Sequence, residues 1–199
     1  MTASLAPSDS HSDRIKLPMS FDVDRMLSEV QNMGLRDFIY YNVIPLRAPA
    51  HMIDPTHPAA PSSSDDYADG SWTEWLDSGY LKDSPYLLEL VDQFREHTKV
   101  TLVRILRLEA GAVVKEHTDP TLGLHIEKSV IRLTVPILWE DEVEFHLNGT
   151  PVPMKPGECW YLRLTDPHSI INASQRERIS LTVDMIPNDW VRDLILQPQ

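Results

Sequence analysis

Apolar and polar residues alternate in short runs from residue 99 onward. Such runs predict β-strands with two different faces, because successive side chains of a strand point to opposite sides. The pair Asn148-Gly149 is typical of the two-residue turn of a β-hairpin. The predicted strands are Thr101–Leu108, Ala112–Glu116, Ser129–Leu138, Glu142–Leu147, Pro151–Met154, Glu158–Leu164, Ser169–Asn172 and Arg178–Ile186.

The first hundred residues show a helical period instead. A helix that follows Asp22, a suitable N-cap, would place its apolar residues on one face and end at Gly34. Residues 38–44 are expected to form a strand. A second helix is expected to begin at Pro85, because proline is favoured at the first helical position and an apolar face follows it.

Two segments have no period. Residues 1–18 are rich in Ser, Asp, His and Pro, and they are predicted to form a disordered tail. Residues 45–71 contain five prolines, three consecutive serines and an acidic cluster of Asp65, Asp66 and Asp69. This composition predicts a long loop, and such loops often act as lids or binding segments.

About eight short strands after two helices predict a mainly β fold. The expected architecture is a jelly-roll barrel, like that of the cupins, with supporting helices at the N-terminal side. We expect a single domain over residues 19–199, with the barrel core at about 99–186. The chain has 199 residues, which is enough for one domain with a sizeable core.

Charge and composition narrow the range of partners. Eighteen basic and thirty acidic residues give a net charge of −12 and an isoelectric point of about 5.0. That charge argues against nucleic acid or an anionic membrane as a partner. The single cysteine, Cys159, leaves no internal disulfide, and neither a long apolar run nor a signal-like N-terminus is found. We therefore expect a cytoplasmic protein.

A His-x-Asp pair is the most informative chemical feature of the chain. His117 and Asp119 are followed, 51 residues after the first histidine, by His168. Two imidazoles and one carboxylate can hold non-haem Fe(II) on one face and leave three coordination positions open. Residues two apart on a strand share a face, so His117 and Asp119 are expected to point together into the barrel. The turn Asp166-Pro167 would place His168 at the mouth of a late strand.

An acidic co-substrate would need a dedicated cation in so acidic a chain. Arg178 lies ten residues after His168, on the polar side of a cleanly alternating strand. Its guanidinium can bind a carboxylate through two parallel hydrogen bonds, and the hydroxyl of Ser180 on the same side can add a third. Arg132 is a second candidate cation for the site. Arg176 is a competitor of Arg178, but its surroundings predict a turn.

Four segments in the order of the predicted strands carry a resemblance to a known family. The region from Arg104 to Asp184 resembles the Fe(II)- and 2-oxoglutarate-dependent oxygenases, and within them the aspartyl/asparaginyl β-hydroxylase-like group that includes the bacterial proline 3-hydroxylases. The resemblance covers about 80 residues, some 40% of the chain. The segments are RLEAGAVVKEHTD, VIRLTVPI, NGTPVPMKPGECWYL and HSIINASQRERISLTVD.

The resemblance implies a double-stranded β-helix fold in which His117, Asp119 and His168 bind Fe(II). It also implies that Arg178 pairs with the far carboxylate of 2-oxoglutarate. The implied reaction is hydroxylation, in which O2 is consumed and succinate and CO2 are released. Some relatives that act on protein domains lack the carboxylate ligand, so Asp119 favours a free amino acid or an amino-acid-derived small molecule as substrate.

Three alternatives remain open at this point. The same chemistry can act on an Asp or Asn residue of a peptide or protein. A different metal-dependent cupin activity would not need Arg178. A binding barrel without catalysis would need no metal at all. The oligomeric state, the substrate and the stereochemistry are also open.

Other conspicuous residues have simpler interpretations. Arg107 is expected to form a structural ion pair, and His125 and His146 are expected to be structural or solvated. Four aromatic residues flank the long loop and either roof the barrel or form a lid that faces the substrate: Trp72, Trp75, Tyr80 and Tyr86. Cys159 is expected to be buried packing.

Overall fold

Antiparallel β-strands dominate the computed structural model, which describes residues 12–34, 43–57, 74–124 and 129–196. The strands in these ranges are β1 (Arg14–Ser20), β2 (Val43–Pro49), β3 (Trp75–Asp77), β4 (Val100–Leu108), β5 (Val113–His117), β6 (Ile131–Leu138), β7 (Val143–Leu147), β8 (Thr150–Pro151), β9 (Glu158–Leu162), β10 (His168–Asn172) and β11 (Arg178–Met185). The helices are α1 (Val23–Asn32), α2 (Ala50–Ile53), α3 (Gly79–Lys82), α4 (Pro85–Arg95) and α5 (Asp189–Leu196).

The strands form two sheets. The larger sheet has seven strands in the order β1-β9-β6-β11-β4-β2-β3, and the smaller has four in the order β5-β10-β7-β8. Strand β11 lies at the centre of the larger sheet, where it pairs with β4 on one side and β6 on the other. The mainly β jelly-roll architecture, a double-stranded β-helix backed by helices, is thus confirmed.

The larger sheet buries side chains on both of its faces. On one face the apolar side of β11, including Leu181 and Val183, packs with Met26 of α1 and with the buried face of α4. On the other face Trp160 joins a second cluster that includes Phe145 of the smaller sheet. The apolar side of β11 is therefore turned toward the helices, and its polar side faces the space between the two sheets.

Polar side chains fix the ends of the two long N-terminal helices. The Asp22 carboxylate accepts a hydrogen bond from the backbone N–H of Arg25 at 3.1 Å, as expected of an N-cap. The carboxylate of Glu29 in α1 accepts bonds from the N–H groups of Tyr86 and Leu87 at 2.8 and 2.9 Å. Glu29 therefore satisfies two free donors at the start of α4 and joins the two helices.

The predicted hairpin turn is present between β7 and β8. Asn148 and Gly149 have φ angles of 52° and 69°, and Leu147 pairs with Thr150 across the turn. Positive φ at both central residues identifies the turn type that matches the twist of two antiparallel strands. Strand β8 ends at Pro151, three residues before the predicted end, because Pro153 has no N–H to continue the ladder.

The disordered tail predicted for residues 1–18 includes residues that form a strand. Residues 14–18 belong to β1, which pairs with β9 at the edge of the larger sheet. The guanidinium of Arg14 donates to the backbone oxygens of Leu147, Thr150 and Pro151 at 2.7 to 3.1 Å. These long-range contacts order a segment whose composition alone predicted disorder. Residues 1–11 lie outside the described ranges.

The predicted loop begins too early in the chain, because its first nine residues have regular structure. Residues 45–53 form most of β2 and all of α2, because Leu46 and Ala48 are buried and β2 pairs with both β3 and β4. The two prolines of β2 favour a loop in the sequence, yet the strand accommodates both. The strand expected at 38–44 is described only for its last two residues, and residues 58–71 of the loop lie outside the described ranges.

Helix α5 was not predicted. Its buried residues Val191 and Ile195 lie four apart, a spacing that could have revealed it. In the part of the chain that the structure describes, no helix combines the length and apolar character needed to cross a membrane.

Substitution of Gly157 by alanine is expected to destabilise the fold. Gly157 has a φ of +81°, and a Cβ placed there would lie 2.6 Å from the backbone oxygen of Phe21. Gly111 is the matched control, because its φ is +73° but a Cβ would meet nothing within 4 Å. Gly157→Ala should cost about 1–3 kcal/mol more than Gly111→Ala in urea unfolding, since only the former adds an overlap to the backbone strain. Equal losses would contradict this packing.

Candidate metal centre

Three side chains that could bind a metal converge at one end of the space between the sheets. His117 ends β5, His168 begins β10, and the two residues lie directly opposite each other in the antiparallel pair. Asp119 follows two residues after His117. One candidate ligand atom from each of the three side chains can be chosen so that all lie within 4.8 Å of one another.

Asp119 reaches this position for a reason that differs from the sequence prediction. It lies beyond the end of β5, so strand alternation does not place it beside His117. Its backbone N–H instead donates to the carbonyl oxygen of Leu164 at 2.8 Å, and its own carbonyl accepts from the N–H of Leu122 at 3.0 Å. The first bond holds the loop against the segment that follows β9, and the second closes a turn within the loop.

Backbone carbonyls orient both imidazoles. Nδ1 of His117 lies 2.8 Å from the oxygen of Lys115, and Nδ1 of His168 lies 2.9 Å from the oxygen of Asp166. Each Nδ1 therefore carries the proton, and each Nε2 has its lone pair free for a metal. Burial, together with the neighbouring His117, lowers the pKa of His168, which favours the neutral form that binds metals.

The donor set fits a metal of the Fe(II) type. Two neutral imidazoles and a carboxylate on one side of a cavity are the ligands of a facial triad. Nε2 of His168 lies 3.8 Å from Oδ2 of Asp119, a separation that leaves room for an ion between them. Phe145 stacks parallel to the imidazole of His168 at 5.8 Å, and this residue was not singled out in the sequence.

Arg178 is buried in the same cavity without a charged partner. The cavity has a volume of about 400 Å³ and is lined by all three candidate ligands and by Arg178. The side chain is buried, its Nε has no hydrogen-bond acceptor, and in the described ranges no carboxylate pairs with it. Burial lowers the pKa of Arg178 to about 10, and the guanidinium lies 4.9 Å from the ring centre of Trp139. A buried, unpaired guanidinium is a site for an anion.

The neighbouring hydroxyls of β11 are also unsatisfied. Ser180 Oγ and Thr182 Oγ1 are buried and have no hydrogen-bond partner. Thr182 lines the cavity together with Arg178, whereas Ser180 lies on the same side of the strand but is not among the lining residues. Groups of this kind are uncommon in protein interiors, and they are typical of a site completed by a ligand.

Arg132 lines the cavity as well, but it already has partners. Its Nε and Nη2 donate to the two carboxylate oxygens of Asp184 at 2.7 and 2.8 Å. Its Nη1 lies 3.4 Å from Oδ2 of Asp119. The structure thus brings Arg132 to the site through two carboxylates, and neither contact was predicted.

The remaining polar candidates have structural partners. Arg107 pairs with Glu177, which confirms its predicted ion pair. Arg176 pairs with Glu140 at the surface, so it does not compete with Arg178 for the cavity. Nε2 of His146 lies 2.7 Å from a carboxylate oxygen of Glu144, as expected of a structural histidine. Outside the described ranges lie His125, Trp72 and the acidic cluster of Asp65, Asp66 and Asp69.

A second cavity of about 320 Å³ lies on the other side of Asp119 and Arg132, which line both cavities. Trp75 and Arg104 contribute to its wall. Trp75 is buried, and Tyr86 is buried with its hydroxyl accepting a bond from the N–H of Asp22 at 2.7 Å. Of the four aromatic residues around the loop, Trp75 therefore lies at the candidate site, and Tyr86 supports the helices.

A family model of aspartyl/asparaginyl β-hydroxylases matches residues 58–187, which is more than half of the chain. The chain belongs to the aspartyl/asparaginyl β-hydroxylase family. The match includes the His117, Asp119, His168 and Arg178 positions. The resemblance noted in the sequence is therefore confirmed.

The chain is similar in sequence to one curated enzyme and in fold to two solved structures. An L-proline cis-3-hydroxylase from Streptomyces is 32% identical over 110 residues, which make up 54% of this chain and 37% of the relative. The match thus spans well under half of the length of that enzyme.

Two solved structures share the fold at 11% identity and a TM-score of 0.52. One is the viral collagen prolyl hydroxylase of Paramecium bursaria Chlorella virus-1, in complex with 2-oxoglutarate. Its alignment covers 92% of this chain and 100% of the viral enzyme. The other is HygX of Streptomyces hygroscopicus with iron bound. Its alignment covers 88% of this chain and 83% of HygX.

Two methionine substitutions should affect stability in opposite directions. Arg178→Met removes a buried charge that has no partner, and each unit by which its pKa is lowered represents about 1.4 kcal/mol against the charged form. We expect the metal-free variant to be about 1–3 kcal/mol more stable than the wild type. Arg132→Met leaves Asp184 buried and uncompensated, and should cost about 3–5 kcal/mol. Chemical unfolding measures both, and equal destabilisation by the two changes would show that Arg178 is also paired.

Proposed function

We propose that the protein is an Fe(II)- and 2-oxoglutarate-dependent dioxygenase that hydroxylates a free amino acid or an amino-acid-derived small molecule. The observation that carries this proposal is that the unpaired Arg178 and the triad of His117, Asp119 and His168 line one cavity. Another cupin activity would leave the buried guanidinium unexplained. A barrel without catalysis would explain neither the triad nor the arginine.

The chain's own residues divide the work of the site. Nε2 of His117, Nε2 of His168 and the carboxylate of Asp119 would hold Fe(II), and the backbone bonds to both Nδ1 atoms keep the rings in place. Arg178 would bind the far carboxylate of 2-oxoglutarate and so orient the co-substrate toward the metal. The predicted contribution of Ser180 to co-substrate binding remains a proposal as well. Arg132, the other residue predicted to bind the co-substrate, contacts Asp184 and Asp119 instead.

When bound, Fe(II) and 2-oxoglutarate would supply the O2 chemistry that oxidises an unactivated C–H bond, with release of succinate and CO2. The protein supplies a shielded setting for it. Phe145, Leu164 and Ile170 form apolar walls of the cavity and limit the access of water to the reacting centre.

The second cavity is the proposed substrate site. It borders the Asp119 side of the metal centre, whereas Arg178 reaches the first cavity, so the co-substrate and the substrate would approach from different sides. A volume of about 320 Å³ is in the range of small-molecule pockets. Arg104 in its wall offers a cation for a substrate carboxylate. The likeness to a proline hydroxylase supports an amino acid as the substrate class.

Anaerobic titration should reveal the proposed chelate. Addition of Fe(II) and 2-oxoglutarate to the metal-free protein is expected to produce a visible charge-transfer band. His117→Ala and Asp119→Ala should lose the band and the turnover of 2-oxoglutarate, because each removes a ligand. Arg178→Ala should still bind Fe(II) but should need at least tenfold more 2-oxoglutarate, since a charge-assisted bond in a buried site is worth about 1.5–3 kcal/mol.

Arg107→Lys serves as the control, because Arg107 borders the cavity but is paired with Glu177. Full turnover by either ligand variant would refute the triad. A band that persists unchanged in Arg178→Ala would move the proposal to a different co-substrate cation, and iron binding without any band would favour another cupin activity.

Substrate selection should depend on Arg104. A screen of free amino acids for succinate release is expected to give substrates whose amides are poor, because a carboxylate must face the guanidinium. Arg104→Gln should raise KM for the best amino acid at least tenfold and leave the charge-transfer titration with 2-oxoglutarate unchanged. Turnover confined to Asp- or Asn-containing peptides would instead select the peptide-modifying alternative.

A further inference from the structure

Arg132 contacts two carboxylates, of which one is deeply buried and the other is partly exposed. Asp184 is deeply buried, and its carboxylate takes both the Nε and the Nη2 of Arg132 in a two-point contact at 2.7 and 2.8 Å. The third nitrogen, Nη1, lies 3.4 Å from Oδ2 of the candidate metal ligand Asp119. The guanidinium is planar, so the contact with Asp184 also determines the direction in which Nη1 points.

The two members of this pair lie on neighbouring inner strands of the larger sheet. Arg132 on β6 and Asp184 on β11 lie directly opposite each other in the antiparallel ladder. The hydroxyl of Thr101 on the neighbouring β4 donates to the backbone oxygen of Asp184 at 3.2 Å. Because β11 is buried along its whole length, the position of Arg132 is set by the sheet and not by the loops around the site.

Asp119, in contrast, stands in a loop, and 32% of its side chain is exposed. Its backbone is fixed by Leu164 and Leu122, but those bonds do not restrict rotation of the carboxylate. Within the described ranges, Arg132 supplies the hydrogen bond to that carboxylate, and Nε2 of His168 lies further away at 3.8 Å. The strand pair therefore provides the restraint that the loop lacks.

We propose that Asp184 and Arg132 form a positioning pair that fixes the orientation of the Asp119 carboxylate and thereby strengthens metal binding. The inference rests on the metal site of the proposed function. Arg132 then acts through Asp119, whereas the sequence alone predicted a direct contact with the co-substrate. Outer partners of metal ligands commonly contribute 10–100-fold to metal affinity.

Two substitutions test the pair without removing a metal ligand. Asp184→Asn keeps the size of the side chain but replaces one acceptor by a donor, so the two-point contact is lost. Arg132→Lys keeps the charge, but a single ammonium cannot bridge both carboxylates as the guanidinium does. The control is Arg47→Lys, because Arg47 pairs with Asp77 at 2.7 Å and is 19% exposed, close to the 16% of Arg132, but lines neither cavity.

Co(II), which is stable in air, serves as the metal probe for the purified full-length chain. The Kd for Co(II) is obtained from the visible absorption of the bound ion, and the Kd for 2-oxoglutarate is measured by calorimetry at saturating Co(II). Thermal unfolding of the metal-free proteins reports any general loss of structure. We expect a Co(II) Kd at least tenfold higher, with an altered absorption spectrum, in Asp184→Asn and in Arg132→Lys. The Kd for 2-oxoglutarate should stay within threefold, and Arg47→Lys should match the wild type in both.

An unchanged Co(II) affinity and spectrum in both variants would overturn the positioning role. A normal Co(II) affinity with a much weaker 2-oxoglutarate affinity would overturn it in favour of direct contact between Arg132 and the co-substrate. A loss of Co(II) affinity in Arg47→Lys equal to that in Asp184→Asn would reduce the effect to general destabilisation. Failure of the wild type itself to bind Co(II) would instead refute the metal site, and with it the proposed function.

Discussion

The buried polar side of strand β11 is the constraint on which the arrangement of the site depends. The apolar side of this strand is needed by the helices, so Arg178, Thr182 and Asp184 must face the space between the sheets. A polar side chain in such a place is costly unless it finds a partner. Asp184 finds Arg132 within the protein, whereas Arg178 finds none among the described residues. The same strand thus contacts the candidate metal ligand Asp119 through Arg132, and it leaves Arg178 open to the anionic ligand that we propose.

Stability and binding are opposed at these positions. Asp184 and Arg132 compensate each other's charge, and the pair ties the central strands to the loop that carries Asp119. Arg178 is buried without a carboxylate partner, which costs folding free energy and makes the guanidinium available to a carboxylate. The smaller sheet contributes the two imidazoles through a single antiparallel pair of short strands. The smaller sheet therefore supplies the two imidazoles, the larger sheet supplies Arg178 and Arg132, and a loop supplies Asp119.

Much of this could be predicted from the sequence, because strands with one buried face reveal themselves by alternation. The barrel strands end within two residues of their predicted limits except at β8. The order and spacing of His117, His168 and Arg178 predicted one shared site, and these residues do line one cavity. Asp119 does lie near His117, but a loop contact and not strand alternation places it there. Strand β1 and the pair of Arg132 with Asp184 depend on contacts between distant segments, and local patterns carry no information on such register. The two prolines of β2 made a strand resemble a loop at the level of sequence.

The central claim is that one cavity holds a metal ion and a dicarboxylate at the same time. A crystal structure of the protein grown with Mn(II) and 2-oxoglutarate under anaerobic conditions tests it most directly. We predict an anomalous difference peak between Nε2 of His117, Nε2 of His168 and the Asp119 carboxylate, with the far carboxylate of 2-oxoglutarate on the guanidinium of Arg178. A peak elsewhere, or a co-substrate whose far carboxylate does not meet Arg178, would contradict it.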